Sequence, residues 1–301
     1  MRKNKLYTLL ASTLLASNLY GFEYTLDSKK ITDNVHCFIG KYEIPTEQNG
    51  GEMSNMCFID EGKYYTTIDS GPSYKYAKQA HEYIKKNHGD KPIKYVLVTH
   101  AHDDHYLGND YFASKGATIV ASENFNDAIL VNTHMVNMIG KETYEGTKVY
   151  GSDIQIKDSS QKFGNIKALS LTPKAHSNSD IVYLDEKNGV IFSGDLIFNG
   201  RIPALREGSI NGWLEALDKL EKLKFNFIAS GHGDITATNA YETTREYLTL
   251  LKEKVVEAID EDIGIEEAAK NIELEKFKNF PLYKELHSKN VFKAYQELEF
   301  E

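Results

Sequence analysis

An α/β fold is predicted by three features of this chain. Short apolar, β-branched runs alternate with segments of helical periodicity. Three of the four segments that carry candidate histidine and aspartate ligands end an apolar run, and ligands collect at strand ends in α/β folds. The 301 residues fit one large α/β domain or two small ones.

In chain order, residues 1–21 come first and read as an export signal. Arg2, Lys3 and Lys5 form a basic start, and Leu6 to Leu19 is moderately apolar. Cleavage after Gly21 is expected, although Leu19 departs from the small-residue pattern three positions before the cut. The apolar run is short and interrupted by Ser, Thr and Asn, so stable membrane insertion after cleavage is not expected. A periplasmic location follows as an expectation.

Residues 34–39 and Met56–Asp60 read as strands flanking a Gly-, Asn- and Gln-rich stretch, 43–54. Cys37 and Cys57 fall one in each strand, and two readings stay open: a disulfide between neighbouring strands, or two buried thiols. A strand over 64–69 and an amphipathic helix over 74–87 follow. A strand over 95–99, with the apolar core Tyr95-Val96-Leu97-Val98, runs directly into Thr99-His100-Ala101-His102-Asp103-Asp104-His105. Next come a strand over 118–121 and a helical stretch over 123–139. Short strands are expected at 167–171, 181–184 and 190–193. Residues 211–223 carry Trp213, Leu214, Leu217 and Leu220 at helical spacing. A strand over 227–230 and a helix over 240–259 complete a domain spanning 22–260. The charged, helically patterned stretch 261–301 is expected to pack on that same domain.

The net charge of −9 comes with dispersed Lys and Arg and no basic stripe interleaved with aromatics, which argues against nucleic-acid binding. A small-molecule substrate is expected instead, and the oligomeric state is not legible.

The spacing H-x-H-x-D-H places His100, His102, Asp104 and His105 within six residues at a strand end. Imidazole and carboxylate donors suit zinc, with iron or manganese also compatible with such a set. Later in the chain, His176 lies in Leu171-Thr172-Pro173-Lys174-Ala175-His176-Ser177-Asn178-Ser179-Asp180. Asp195 follows Ile191-Phe192-Ser193-Gly194, and His232 lies in Ile228-Ala229-Ser230-Gly231-His232-Gly233. Glycines beside Asp195 and His232 allow unusual backbone angles and close approach. His36, His81, His88, His134 and His287 have no such context and are expected to be non-ligands.

With Tyr65-Thr66-Thr67-Ile68-Asp69-Ser70-Gly71-Pro72 upstream, these segments in this order resemble the metallo-β-lactamase superfamily over nearly all of the chain beyond residue 30. The resemblance implies an αββα four-layer sandwich with two metals at one edge. The first zinc would take His100, His102 and His176, and the second Asp104, His105 and His232, with Asp195 bridging. Asp69 would support the metal loop from behind. A metal-bridging hydroxide would be the nucleophile, since zinc brings the pKa of bound water to about 7. Asp104 would ligate and orient it.

The implied chemistry is hydrolysis of a small ester, thioester, lactone or amide, β-lactams included. Subclasses with a cysteine metal ligand have it where this chain has Asp195. Nuclease branches continue the motif with histidine where this chain has Tyr106. Stretches 104–109, 198–203, 208–214 and 287–299 resemble a narrower branch: exported zinc metallohydrolases associated with thiosulfate oxidation and quinoprotein dehydrogenase systems. Arg201 is a candidate for binding a substrate anion, with a structural salt bridge as its other reading. Tyr106 and Asn109 are expected to pack behind the metal loop. The alternatives to a zinc hydrolase are a mononuclear iron persulfide dioxygenase and a non-catalytic periplasmic metal-binding protein.

Overall fold

The computed structural model describes residues 22–130, 135–157, 160–237 and 239–300. The export-signal segment and His134 lie outside the described residues.

Two sheets follow one another along the chain. The first holds β1 (Ser28–Lys30), β2 (Val35–Phe38), β3 (Met56–Asp60), β4 (Tyr65–Ile68), β5 (Ile93–Leu97), β6 (Thr118–Ser122) and β7 (Ile154–Ile156), side by side in chain order. Its pairs are antiparallel up to β3–β4 and parallel from β4–β5 onward. The second sheet holds β8 (Lys162–Phe163), β9 (Ile166–Leu169), β10 (Val182–Asp185), β11 (Val190–Phe198), β12 (Phe227–His232) and β13 (Thr236–Ala237). In it only β11 and β12 run parallel.

Outside the first sheet lie α1 (Tyr74–His88), α2 (Asp103–Tyr106), α3 (Asn109–Ser114), α4 (Phe125–Ala128) and α5 (Lys141–Tyr144). Outside the second lie α6 (Ile210–Leu220), α7 (Tyr241–Asp260), α8 (Ile265–Asn271) and α9 (Tyr283–Leu298). Side chains of a strand alternate between its faces, so each sheet can serve two cores. In β2 and β3, Val35, Cys37, Cys57 and Ile59 point to the layer between the sheets, where they meet Tyr183 and Phe192. Phe38, Met56 and Phe58 point the other way, into the core under α1 and α3. A third core joins β11 to α6, α7 and α9 through Ile197, Trp213, Leu251 and Val291. The layers are therefore helix, sheet, sheet, helix.

Local chemistry explains the ends of α1. The Ser73 hydroxyl accepts from Tyr76 N at 3.1 Å, the usual serine N-cap. Lys85, Lys86 and His88 sit in the last turn, where cations complement the helix dipole.

Several expectations are corrected. The stretch 123–139 is not one helix: α4 ends at Ala128, and only a 3₁₀ turn at Met135–Asn137 follows among the described residues. Asn126 turns its side-chain oxygen to Ser152 N at 2.8 Å, tying this turn to the next connection rather than to a longer helix. The strand that reaches the histidine motif starts earlier than expected, at Ile93, and ends at Leu97. β11 runs on to Phe198, with register shifts around Gly194. Strands β1, β7, β8 and β13 and helices α2, α3 and α5 were not anticipated, being too short for a periodic signal. Of the two cysteine readings, the bridged one is found: Cys37 and Cys57 face each other across β2 and β3 as a disulfide. The stretch 261–301 resolves into α8 and α9, and α9 buries Val291, Ala294 and Leu298 against the third core.

Candidate metal centre

The centre lies where both sheets end at the same edge. Beyond β5, Val98 N still donates to Val120 O at 2.8 Å, and Tyr183 from the second sheet donates its hydroxyl hydrogen to Val98 O at 2.9 Å. The chain then turns, and Asp69 at the end of β4 fixes that turn. Its Oδ1 accepts from Thr99 N at 2.7 Å, and its Oδ2 accepts from Thr99 Oγ1 at 2.9 Å and from His105 Nδ1 at 2.7 Å. Asp69 does this with a left-handed backbone, φ 61°. The one-turn helix α2 carries Asp104 and His105, and the His105 ring lies 4.3 Å from that of His100.

The second sheet supplies the rest. The loop bearing His176 is tied to the first by Ala101 N, which donates to Ser179 Oγ at 3.1 Å. Gly194, at φ 52°, sits at the irregularity in β11 and is followed by Asp195. A side chain at Gly231 would put its Cβ 2.0 Å from Asp195 Oδ1, so the strand that ends in His232 has room only for glycine there.

All seven predicted ligands meet here, each no more than 4% exposed. They form two groups: His100, His102, His176 and Asp195, and Asp104, His105 and His232. In the first, His102 Nδ1 stands 2.9 Å from both His100 Nε2 and His176 Nε2, while Asp195 Oδ2 is 3.3 Å from His176 Nε2. In the second, Asp104 Oδ2 is 3.4 Å from both His105 Nε2 and His232 Nε2. Asp195 reaches both groups, with Oδ1 3.2 Å from His105 Nε2 and Oδ2 3.2 Å from His232 Nε2.

This donor set fits divalent metal ions. Asp104 Oδ2, Asp195 Oδ1 and His105 Nε2 are buried without a hydrogen-bond partner, with His105 Nε2 3.4 Å and 3.2 Å from the two oxygens. Buried polar atoms are rarely left so. An ion on each side of Asp195 would satisfy them.

The far nitrogens of four of the five histidines are held. His105 Nδ1 meets Asp69, His100 Nδ1 lies 3.0 Å from Thr99 Oγ1, and His232 Nδ1 lies 2.6 Å from Met53 O. His102 is reversed: its Nε2 stands 2.7 Å from Glu207 Oε1, leaving Nδ1 to the centre. Such partners set tautomer and ring angle. Glu207 carries no motif in the sequence and was missed. It lies in an aperiodic loop more than a hundred residues from His102, where no local pattern could flag it.

Electrostatics follow from burial and mutual charge. Burial pushes His100 well down and His176 down to about 3, so both stay neutral and available as donors. Burial likewise opposes charge on His105, but Asp104, Asp195 and Asp69 outweigh it and raise that imidazole well above its usual range. Asp195 resists burial through His232, His105 and His100, which hold it well below the ordinary carboxylate range.

Arg201 lies beside the centre, 3% exposed, with Nη1 3.4 Å from His232 Nδ1 and its guanidinium 4.9 Å over the Phe198 ring. Burial pushes it down to about 10, which leaves it charged at neutral pH. It faces a cavity of about 490 Å³ shared with Asp104 and Met53. Glu43, Ile44 and Pro45 cover one side of this cavity, and the end of that segment is anchored by Ser54 Oγ, which donates to Asp104 O at 2.6 Å. Tyr106 is buried against Phe125, and Asn109 accepts from Ser70 Oγ at 2.8 Å, both behind the loop. His36, His81, His88 and His287 lie elsewhere, against aromatic neighbours.

Comparison with known proteins agrees with this geometry. The metallo-beta-lactamase superfamily model matches residues 49–232. The metallo-beta-lactamase type 2 of Elizabethkingia meningoseptica is 26% identical over 263 residues, which is 84% of this chain and 98% of that protein. A hydroxyacylglutathione hydrolase of Methylococcus capsulatus is 25% identical over 133 residues, 44% of each chain. Among solved structures, metallo-beta-lactamases from Hirschia baltica and Pontibacter korlensis each superpose with a TM-score of 0.60 at 18% identity. Each covers 74% of this chain, and 97% and 99% of its own. At that identity they show the shared fold alone.

Proposed function

The chain belongs to the metallo-beta-lactamase superfamily and is a metal-dependent hydrolase, and we propose that it is an exported enzyme that uses two zinc ions to cleave a small ester, thioester, lactone or amide, β-lactams included. The observation that carries this reading is the convergence of seven buried donors into two groups joined by Asp195.

Zinc held there would supply a water of pKa about 7 and a Lewis acid for a carbonyl oxygen. His100, His102 and His176 would hold one ion, Asp104, His105 and His232 the other, with Asp195 touching both. Asp104 Oδ2, buried without a hydrogen-bond partner, would ligate the second ion and orient the attacking water. Asp69, Thr99, Glu207 and the Met53 carbonyl keep the imidazoles at fixed angles. Arg201, charged and held over Phe198, attracts an anionic substrate group to the cavity. Export and membership of the thiosulfate- and quinoprotein-associated branch rest on sequence motifs.

The test is elemental analysis joined to a hydrolysis panel: nitrocefin, 4-nitrophenyl acetate and a hydroxyacyl-glutathione thioester. The reading expects two zinc per chain, falling to one in His105→Ala, and turnover that is lost on chelation and restored by zinc. If the zinc-loaded protein is no faster than the chelated one on every substrate, the hydrolase reading fails. One iron per chain, unchanged in His105→Ala, would redirect the search to oxygen-dependent sulfur chemistry.

A further inference from the structure

One wall of the cavity comes from outside the 49–232 stretch that the family model matches. Leu282, the residue before α9, and Leu286 and Lys289, within it, form that wall, and the three-residue spacing of Leu286 and Lys289 puts those two on one helix face. Arg206, on the loop after β11, lines the same cavity. Leu282 and Arg206 have left-handed backbones, φ 64° and 41°, and they are two of only four non-glycine residues with positive φ among the described residues. Such a conformation persists in a bulky residue only where its surroundings over-determine it.

The surroundings do so here. Asn290 accepts from Leu205 N at 2.8 Å and donates to Pro203 O at 2.7 Å. Glu297 accepts from Ser209 Oγ at 2.7 Å and from Ile210 N at 2.8 Å. Helix α9 and the loop 201–210 are thus tied together, which fixes the Leu282–Leu286 face and the backbone positions from which the exposed Arg206 and Lys289 side chains line the cavity. Among the described residues, neither Arg206 nor Lys289 forms an ion pair. Two acidic groups on the same cavity, outside the metal loop, are Glu43, which accepts from Asn49 Nδ2 at 3.0 Å, and Glu285, one turn before Lys289.

We propose that α9 is the specificity wall of this enzyme, and that it selects substrates whose end remote from the scissile bond is apolar and carries a carboxylate, bound by Lys289 and Arg206. The inference rests on the hydrolase reading above and assigns that site its substrate class. Two cations held beside an apolar face recognise an amphiphilic anion: the face takes the hydrocarbon and the cations take the charge.

The experiment uses the zinc-loaded full chain and two esters of similar length, neutral 4-nitrophenyl butyrate and mono-4-nitrophenyl glutarate, whose acyl chain ends in a carboxylate. The wild type should favour the glutarate by about tenfold or more in kcat/KM, the scale of one charge-assisted hydrogen bond. Lys289 is exposed, so Lys289→Glu leaves the core untouched. It should abolish that preference through KM, with kcat for the butyrate unchanged. Equal kcat/KM for the two esters in the wild type, or equal losses on both in Lys289→Glu, would overturn the proposal. If neither ester is cleaved, binding of 4-phenylbutyrate and 4-phenylbutanol by calorimetry decides. A carboxylate preference that disappears in Lys289→Glu keeps the wall, and the three-substrate panel above decides the hydrolase reading separately. A preference that survives, or none at all, removes the wall.

Discussion

Glu207 Oε1 stands 2.7 Å from His102 Nε2, and this contact is what turns the Nδ1 of His102 toward the other donors. A carboxylate behind a histidine ligand typically contributes about 10–100-fold in metal affinity. Glu207→Gln keeps the size and loses the charge. Competition with a chromophoric chelator should therefore show the first zinc bound about tenfold or more weakly. The circular dichroism spectrum should not change. Unaltered zinc affinity would mean that packing alone sets the His102 ring.

Asp180, in the loop that carries His176, gives the fold a pH dependence. Burial pushes its carboxyl up to about 7, against the lowering effect of Ser177 N and Oγ, both of which donate to it. The folded chain thus takes up this proton at a higher pH than the unfolded chain, whose carboxyl titrates near 3.8. The stabilising contribution is complete below that unfolded value and is lost as pH rises through about 7. Melting of metal-stripped protein at pH 5 and pH 8 should show a smaller difference for Asp180→Asn than for the wild type. Identical differences would disprove the assignment.

Asn290 is 2% exposed and bonds Leu205 N, Pro203 O and the Tyr247 hydroxyl. Asn290→Ala leaves Leu205 N and Pro203 O buried without that partner, while the Tyr247 hydroxyl keeps His287 Nδ1, at a cost of about 3 kcal/mol. Urea unfolding should show that loss. Because the same bonds hold the loop bearing Arg201 and Arg206, KM should rise in parallel. A stability loss with unchanged KM would separate the clamp from the cavity.

The Cys37–Cys57 bridge closes a loop of 20 residues, a length for which chain-entropy reasoning gives about 3 kcal/mol. The double variant Cys37→Ser, Cys57→Ser should lose stability on that scale, read by denaturant titration. The native chain should show no reactive thiol before reduction. Free thiols in the oxidised, unfolded protein would contradict the bridge.

The metal centre was legible in the residues because its information is local. His100, His102, Asp104 and His105 lie within six positions of an apolar run, and His176, Asp195 and His232 recur in short segments, two of them marked by glycine. Strand alternation and helix periodicity report which face of a segment is buried, so the long elements and the α/β class were also readable. Contacts between distant points carry no such signal. Glu207 behind His102, Asn290 and Glu297 on the loop after β11, and the α9 wall that shares its cavity with Arg206 each join residues about 80–105 positions apart. The helix expected over 123–139 fails for the same reason: Asn126 answers to Ser152, not to its own neighbours. By itself the sequence determined which donors the centre has. Packing of the two sheets and of α9 decided what holds those donors and what shapes the cavity. Side-chain bonds and apolar contacts across long loops form only once the layers have met, and the entropy of closing those loops is offset by the whole fold rather than by any one segment.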